Sequence, residues 1–148
     1  MFDRILIAYD GSKGAWEALE TACGLAKLSG ADLVILTVYR HHAMLEASLS
    51  MVRGSIEPGG NLDEMMRQTA REAAEEAKSH AAGVLGAEKV QAFIRNGPYA
   101  RSIDAFAREK DCDLIVVGSR GLGSTEGYML GSVSHKVTSL ADVPVLVA

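Results

Sequence analysis

The chain has 148 residues, of which 48% are hydrophobic and 23% are charged. This length predicts one domain spanning residues 1–148, and this composition excludes intrinsic disorder and a collagen-like repeat. The 15 basic residues are outnumbered by 19 acidic ones, which gives a formal net charge of −4. This balance argues against a nucleic-acid partner, because phosphate contacts need a basic surface.

Targeting and membrane signals are missing from the apolar segments. The first apolar run, Ile5 to Tyr9, is five residues long, which is too short for the hydrophobic part of a signal peptide. No apolar run approaches the roughly 20 residues that span a bilayer. We therefore expect a cytoplasmic protein without a membrane partner.

The cysteines and histidines do not predict a metal site. Cys23 and Cys112 lie far apart in apolar surroundings and match no metal-ligand spacing, so both are expected to be buried free thiols. His41 and His42 are adjacent, but no cysteine or acidic residue lies near them at ligand spacing.

Short apolar segments rich in isoleucine and valine predict the β-strands. Nearly continuous apolar runs are typical of parallel strands that helices cover on both faces. The segment within residues 90–94 alternates instead and is expected nearer a sheet edge. The predicted strands are Ile5–Tyr9, Leu33–Tyr39, Val90–Ile94, Leu114–Val117 and Val143–Val147.

Between the strands, apolar residues recur every three or four positions, which predicts helices. The alternation of strands and helices predicts a doubly wound α/β domain with five parallel strands. Arg40–Gly60 has no such pattern apart from a turn or two of helix within Ala43–Val52, and loops of this length are usually functional or disordered. The predicted helices are Ser12–Ser29, Asn61–Leu85, Ala100–Lys110 and Ser134–Leu140.

A glycine-rich stretch follows the fourth predicted strand and runs into a helix that opens with Ser132-Val133-Ser134. Glycines let the backbone approach a ligand closely, and the start of a helix attracts anions. The stretch therefore indicates a phosphate pocket, although glycine content alone leaves open a surface loop whose glycines only make turns. Its glycines are Gly118, Gly121, Gly123, Gly127 and Gly131.

The common phosphate-binding motifs do not fit this stretch. Gly121, Gly123 and Gly127 read GxGxxxG rather than GxGxxG, and no Gly-Lys-Ser/Thr triplet forms a Walker A motif. A response-regulator receiver domain is also disfavoured, because the third strand is followed by Asn96 and not by an aspartate.

The spacing Gly118-x-x-Gly121-(nine residues)-Gly131-Ser132 resembles the ATP-binding branch of the universal stress protein family. The resemblance covers nearly the whole chain and includes Asp10-Gly11-Ser12 after the first strand. Ala15 departs from the pattern, because many relatives have a serine there. The resemblance implies one five-stranded sheet in the order 3-2-1-4-5, with helices on both faces.

The resemblance also implies where ATP, ADP or AMP would bind, between the ends of the first and fourth strands. Asp10 would hold the ribose hydroxyls, and Ala8 and Val38 would line the adenine. Mg²⁺ or Mn²⁺ would be held mainly by phosphate oxygens, so no metal-ligating residue is assigned. The residues expected to contact the nucleotide are Ala8, Asp10, Gly11, Ser12, Val38, Gly118, Arg120, Gly121, Gly131, Ser132, Val133 and Ser134.

Gly131 is expected to adopt a positive φ, which a branched side chain would disfavour. A valine there would also fill the space for the phosphates.

The leading interpretation is an ATP-binding regulatory module of the stress response, with at most slow hydrolysis and an unidentified partner protein. The alternative is a nucleotide hydrolase or phosphotransferase, which needs a positioned base near the γ-phosphate. Arg120, Glu126 and His135 are available, but none has a spacing that specifies a catalytic role. An interaction scaffold that binds no nucleotide is disfavoured by the intact glycine motif.

We expect a homodimer built through the last strand. Residues 143–148 carry no charge, whereas charged and polar residues lie in and beside the third strand, namely Glu88, Lys89, Gln91 and Arg95. An uncharged apolar edge is open to pairing with another strand, and a two-fold axis would pair two copies of it. The resemblance implies the same interface; the alternative is a monomer whose own helices cover this strand.

Overall fold

A computed structural model describes residues 1–40, 61–119 and 131–148. Strands and helices alternate through these ranges, as the apolar pattern predicts. The strands are β1 (Arg4–Ala8), β2 (Asp32–Tyr39), β3 (Val90–Asn96), β4 (Leu114–Val117) and β5 (Val145–Val147). The helices are α1 (Lys13–Ser29), α2 (Asn61–Leu85), α3 (Tyr99–Glu109) and α4 (Ser132–Leu140), with a 3₁₀ turn at Ala87–Lys89.

The five strands form one parallel sheet in the order β3-β2-β1-β4-β5. The predicted doubly wound fold and its strand order are therefore confirmed. β1 lies at the centre, where Arg4 to Ala8 pair with β2 and Ile5 to Ile7 pair with β4. The carboxyl ends of β1 and β4 consequently lie side by side at one edge of the sheet.

Helices cover both faces of the sheet, which explains why the central strands are apolar at nearly every position. Ile5 and Ile7 face α1 and α2, whose buried surface is made largely of alanines. Leu6 faces the opposite side, where Phe106 of α3 and Val137 of α4 complete a second apolar cluster.

Several element boundaries differ from the predicted ones by one or two residues. α4 begins at Ser132, as expected from Ser132-Val133-Ser134, and not at Ser134, where the apolar pattern begins; its N-cap is Gly131. β5 begins at Val145 rather than Val143, because Pro144 has no N–H to donate to a neighbouring strand. The carbonyl of Pro144 nevertheless accepts the N–H of Ile115 at 3.0 Å.

The amino ends of β1 and β4 are fastened together by one carboxylate. Asp113 accepts hydrogen bonds from the backbone N–H groups of Asp3 at 2.8 Å and Arg4 at 3.1 Å. The Arg4 guanidinium donates to the carbonyl of Lys110 at 2.6 Å. These contacts fix the two strands whose other ends carry the candidate site.

The two cysteines are free and buried, as predicted. Cys23 packs on the α1/α2 face and Cys112 on the α3/α4 face, so the sheet separates the two thiols. Burial is the main cause that raises the pKa of each thiol to about 11. Since the thiolate is the nucleophile, we expect both thiols to be unreactive in the folded protein near neutral pH.

We expect neither cysteine to react with Ellman's reagent in the folded protein at about pH 8, where roughly one thiol in a thousand would be ionised. Both should react after denaturation, and the reaction in the folded protein should accelerate as the pH rises toward about 11. Rapid titration of either thiol in the folded protein at the lower pH would contradict this account.

None of the helices within residues 1–40, 61–119 and 131–148 is long and apolar enough to cross a membrane.

Candidate functional site

The candidate site lies where the chain leaves the central strands in opposite directions. β1 leads into α1 on one face of the sheet, whereas the helix that follows β4, α4, packs on the other face. In open α/β sheets this divergence leaves a crevice at the carboxyl ends of the strands, and ligands bind there.

An Asx turn follows β1 at this edge. The Asp10 carboxylate accepts the backbone N–H of Ser12 at 2.9 Å, and Gly11 has a φ of +84°, which favours glycine. Ser12 is the N-cap of α1, and its hydroxyl accepts the N–H of Ala15 at 3.1 Å. The local sequence thus holds the Asp10 side chain at the start of the crevice.

The junction between β4 and α4 is fastened by hydrogen bonds to Ser119. Its carbonyl accepts the N–H of Gly131 at 2.6 Å, and its own N–H donates to the carbonyl of Ala148 at 2.7 Å. The hydroxyl of Ser134 lies within 3.2 Å of the same Ser119 carbonyl. Ser119 was not among the predicted site residues, although its place directly after Gly118 in the glycine-rich run was a usable signal.

α4 begins with backbone N–H groups that its own helix does not satisfy. The first turn of a helix leaves its N–H groups without intrahelical acceptors, and the helix dipole makes this end positive. Gly131 has no side chain that would cap them. Within the described residues, no acceptor is bonded to the N–H groups of Ser132, Val133 or Ser134.

The prediction of a positive φ at Gly131 is wrong. Its φ is −63° and its ψ is 158°, which is the extended conformation usual for an N-cap. Left-handed glycines belong at the other ends of helices, as at Gly30, where φ is 74°. Glycine at position 131 therefore leaves the first turn of α4 without a side chain over its N–H groups.

The apolar cluster on the α3/α4 face extends to both the end of β1 and the start of α4. Ala8 and Val133 pack against the cluster that contains Val38, and Val38 is 9% exposed. The structure therefore places the two predicted adenine-lining residues in the same cluster as a residue in the first turn of α4.

Tyr9 directly precedes Asp10, and its side chain packs on the α1/α2 face of the sheet. It is buried, and its ring meets Trp16 edge-on with 6.4 Å between ring centroids. Burial, followed by the charges of Glu76 and Asp10, raises the pKa of Tyr9 above its ordinary value. The phenol therefore stays protonated near neutral pH.

Part of the predicted set falls outside the described residues, namely Arg120 and Gly121, together with Glu126 and residues 41–60. Gly118 is described and follows β4 directly, and His135 is exposed on α4. In the part of the chain that the structure describes, no three histidine, cysteine or acidic side chains are grouped to hold a metal ion.

The sequence matches the model of the universal stress protein family over residues 1–148. It is 41% identical to universal stress protein YxiE of Bacillus subtilis, over 99% of both chains. It is also 33% identical to a universal stress protein of Thermus aquaticus, over 99% of this chain and 98% of the relative.

Solved structures show the same fold. The universal stress protein UspA of Lactobacillus plantarum superposes with a TM-score of 0.77 at 24% identity, over 98% of this chain and 96% of that one. A universal stress protein in complex with cAMP gives 0.72 at 24% identity, with 99% and 97% coverage. The Archaeoglobus fulgidus protein in complex with dAMP gives 0.66 at 21% identity, with 99% and 96% coverage. Because the family match spans the chain and the fold agrees, this protein belongs to the universal stress protein family.

Proposed function

We propose that the protein is a nucleotide-dependent regulatory module that binds ATP in the crevice between β1 and β4. The observation that carries this proposal is the first turn of α4, whose N–H groups are bonded to no described residue and whose N-cap is hydrogen-bonded to the end of β4. A phosphate group suits unpaired N–H groups at the positive end of a helix. The intact glycine spacing from Gly118 to Gly131 supports the same position for the phosphates.

The nucleoside half of the ligand would occupy the apolar side of the crevice. Ala8 and Val38 offer a surface for the adenine, and the Asp10 carboxylate offers acceptors for the ribose hydroxyls. Two family members of known structure were solved with cAMP and dAMP, both adenine nucleotides, which supports adenine as the base.

The triphosphate would bring a divalent ion, either Mg²⁺ or Mn²⁺. Such ions are commonly held by phosphate oxygens and water together with one or two protein oxygens. Arg120 and Gly121 would complete the phosphate pocket from the glycine-rich stretch, and Gly118, Gly11 and Ser12 would form its floor. Asp10 is the nearest described carboxylate in sequence to this floor, which makes it the alternative metal ligand to test.

We expect regulation rather than rapid catalysis. Phosphoryl transfer needs a base or a positioned water together with charge stabilisation, and Arg120, Glu126 and His135 have no spacing that specifies either role. We therefore expect at most slow ATP hydrolysis. The two free thiols fit a reducing compartment, and the proposal places the protein in the cytoplasm.

Equilibrium binding with turnover followed in the same sample tests the function. ATP, ADP and AMP should be titrated by calorimetry with and without Mg²⁺, with GTP as the control for the base, while released phosphate is assayed. Saturable ATP binding with slow phosphate release supports the regulatory module. Fast multiple turnover would favour the hydrolase, and absence of binding would favour a scaffold.

The proposal includes a homodimer through β5. Within the described residues β5 pairs only with β4, and the peptide groups of Pro144 and Ala148 face β4, where they bond to Ile115, Val117 and Ser119. Because peptide groups alternate in direction along a strand, those of Val145 and Val147 point away from β4. They form an uncharged edge on which a second copy can pair.

A proline and an alanine at the same position test this interface. Val147→Ala should remain dimeric, whereas Val147→Pro, which also removes the outward N–H, should shift the protein toward monomer in sedimentation velocity runs. Deleting Val145–Ala148 should give monomer or aggregate. If the unaltered chain sediments as a monomer at micromolar concentration, the dimer proposal is wrong.

A further inference from the structure

Ser134 differs from Ser132 in what its hydroxyl can do. Ser132 is exposed, whereas Ser134 is 2% exposed. The Ser134 hydroxyl lies 3.0 Å from the carbonyl of Gly131 and 3.2 Å from the carbonyl of Ser119. A hydroxyl has one proton, and here that proton is directed to backbone carbonyls inside the protein.

These contacts join the two elements that build the candidate phosphate site. Ser119 directly follows Gly118 at the end of β4, and Gly131 is the N-cap of α4. The Gly131 N–H already donates to the Ser119 carbonyl at 2.6 Å. The Ser134 hydroxyl adds a second link between the same two elements from within the helix.

We propose that Ser134 is a positioning residue whose hydroxyl holds the start of α4 against the end of β4, while only its backbone N–H is offered to a ligand. This inference rests on the proposed nucleotide site. Without the hydroxyl, α4 keeps its backbone hydrogen bonds but can tilt relative to β4. The N–H groups of the first turn then no longer converge on one phosphate.

Ser139 provides a matched control on the same helix. Its hydroxyl donates to the carbonyl of His135 at 3.2 Å, four residues earlier, and it is exposed. Ser139→Ala therefore removes a serine hydroxyl from α4 without touching β4. Ser134→Thr keeps a hydroxyl at the critical position, and Ser134→Val has nearly the same shape as threonine without one.

The test measures dissociation constants for ATP and adenosine, together with thermal unfolding of the nucleotide-free protein. Ser134→Ala should weaken ATP binding about five- to tenfold, as for one lost hydrogen bond, and should change adenosine binding less than twofold. It should also lower the unfolding temperature of the nucleotide-free protein. Ser139→Ala should change neither constant, and the Ser134→Thr protein should bind ATP at least threefold more tightly than the Ser134→Val protein.

Three outcomes would overturn the inference. ATP binding unchanged in Ser134→Ala would mean that the hydroxyl positions nothing. Equal losses for ATP and adenosine would indicate a general loosening of the fold, and weaker ATP binding with unchanged unfolding would make the hydroxyl a direct phosphate ligand. If the Ser134→Ala protein does not fold, the inference is tested by comparing the ATP affinities of Ser134→Thr and Ser134→Val, and equal affinities would overturn it. Failure of the unaltered protein to bind ATP would instead remove the proposed function.

Discussion

Replacing Gly131 with valine should weaken ATP binding by about two orders of magnitude while leaving the chain folded. The φ of −63° and ψ of 158° at this position are open to valine, so the backbone need not change. An N-cap side chain reaches over the N–H groups of the first helical turn, which is the space proposed for the phosphates. We expect the dissociation constant for ATP to rise by a factor on the order of 100, or about 2.7 kcal/mol.

Gly131→Asp should also weaken ATP binding, but it should stabilise the start of α4. Aspartate is a good N-cap, so the nucleotide-free protein should unfold at the same temperature or higher. Its carboxylate would occupy the first-turn N–H groups and repel a phosphate. Calorimetry and thermal unfolding of both variants check this pair. Undiminished ATP affinity in either folded variant would move the phosphate site away from α4.

Replacing Asp10 with alanine should weaken nucleotide binding by about 1–3 kcal/mol, as for a lost charge-assisted hydrogen bond. Asp10 can contribute to binding in two ways, by contacting the nucleotide and by ordering the turn. It orders the turn because its carboxylate accepts the N–H of Ser12. Asp10→Asn keeps an acceptor for that N–H and removes the charge. A smaller loss in the asparagine variant would measure the contribution of the turn.

Divalent ions distinguish the two ligands that Asp10 can hold. If it binds the ribose, Asp10→Ala should weaken ATP binding equally with Mg²⁺ and with a chelator. If it ligates the metal, the loss should largely disappear in the chelator. If Asp10→Ala does not weaken ATP binding under either condition, Asp10 contacts neither the ribose nor the metal ion.

The fold was predictable because each strand and helix carries a simple apolar pattern. β4 and α2 begin and end at the predicted residues. Met65 belongs to the apolar pattern that predicts α2, yet its side chain is 66% exposed. Met65 lies one position off the stripe of buried alanines at 70, 74, 77 and 81, and one residue turns a helix by about 100°.

The site was less predictable where tertiary contacts define it. Glycine spacing identified the start of α4, but it gave the wrong φ for Gly131, because sequence alone does not separate an N-cap glycine from a left-handed one. Ser119 was not predicted because its contacts are made by backbone groups, which every residue type has; only its place after Gly118 pointed to the site. The buried hydroxyl of Ser134 could not be distinguished from the exposed one of Ser132 by sequence.

The central claim is that the first turn of α4 binds the phosphates of an adenine nucleotide. Amide chemical shifts of ¹⁵N-labelled protein, recorded with ATP and separately with adenosine, test it most directly. The account predicts that ATP moves the amide resonances of Ser132, Val133 and Ser134 most strongly, whereas adenosine leaves them nearly in place. Saturable ATP binding that leaves those three amide resonances unmoved would contradict it.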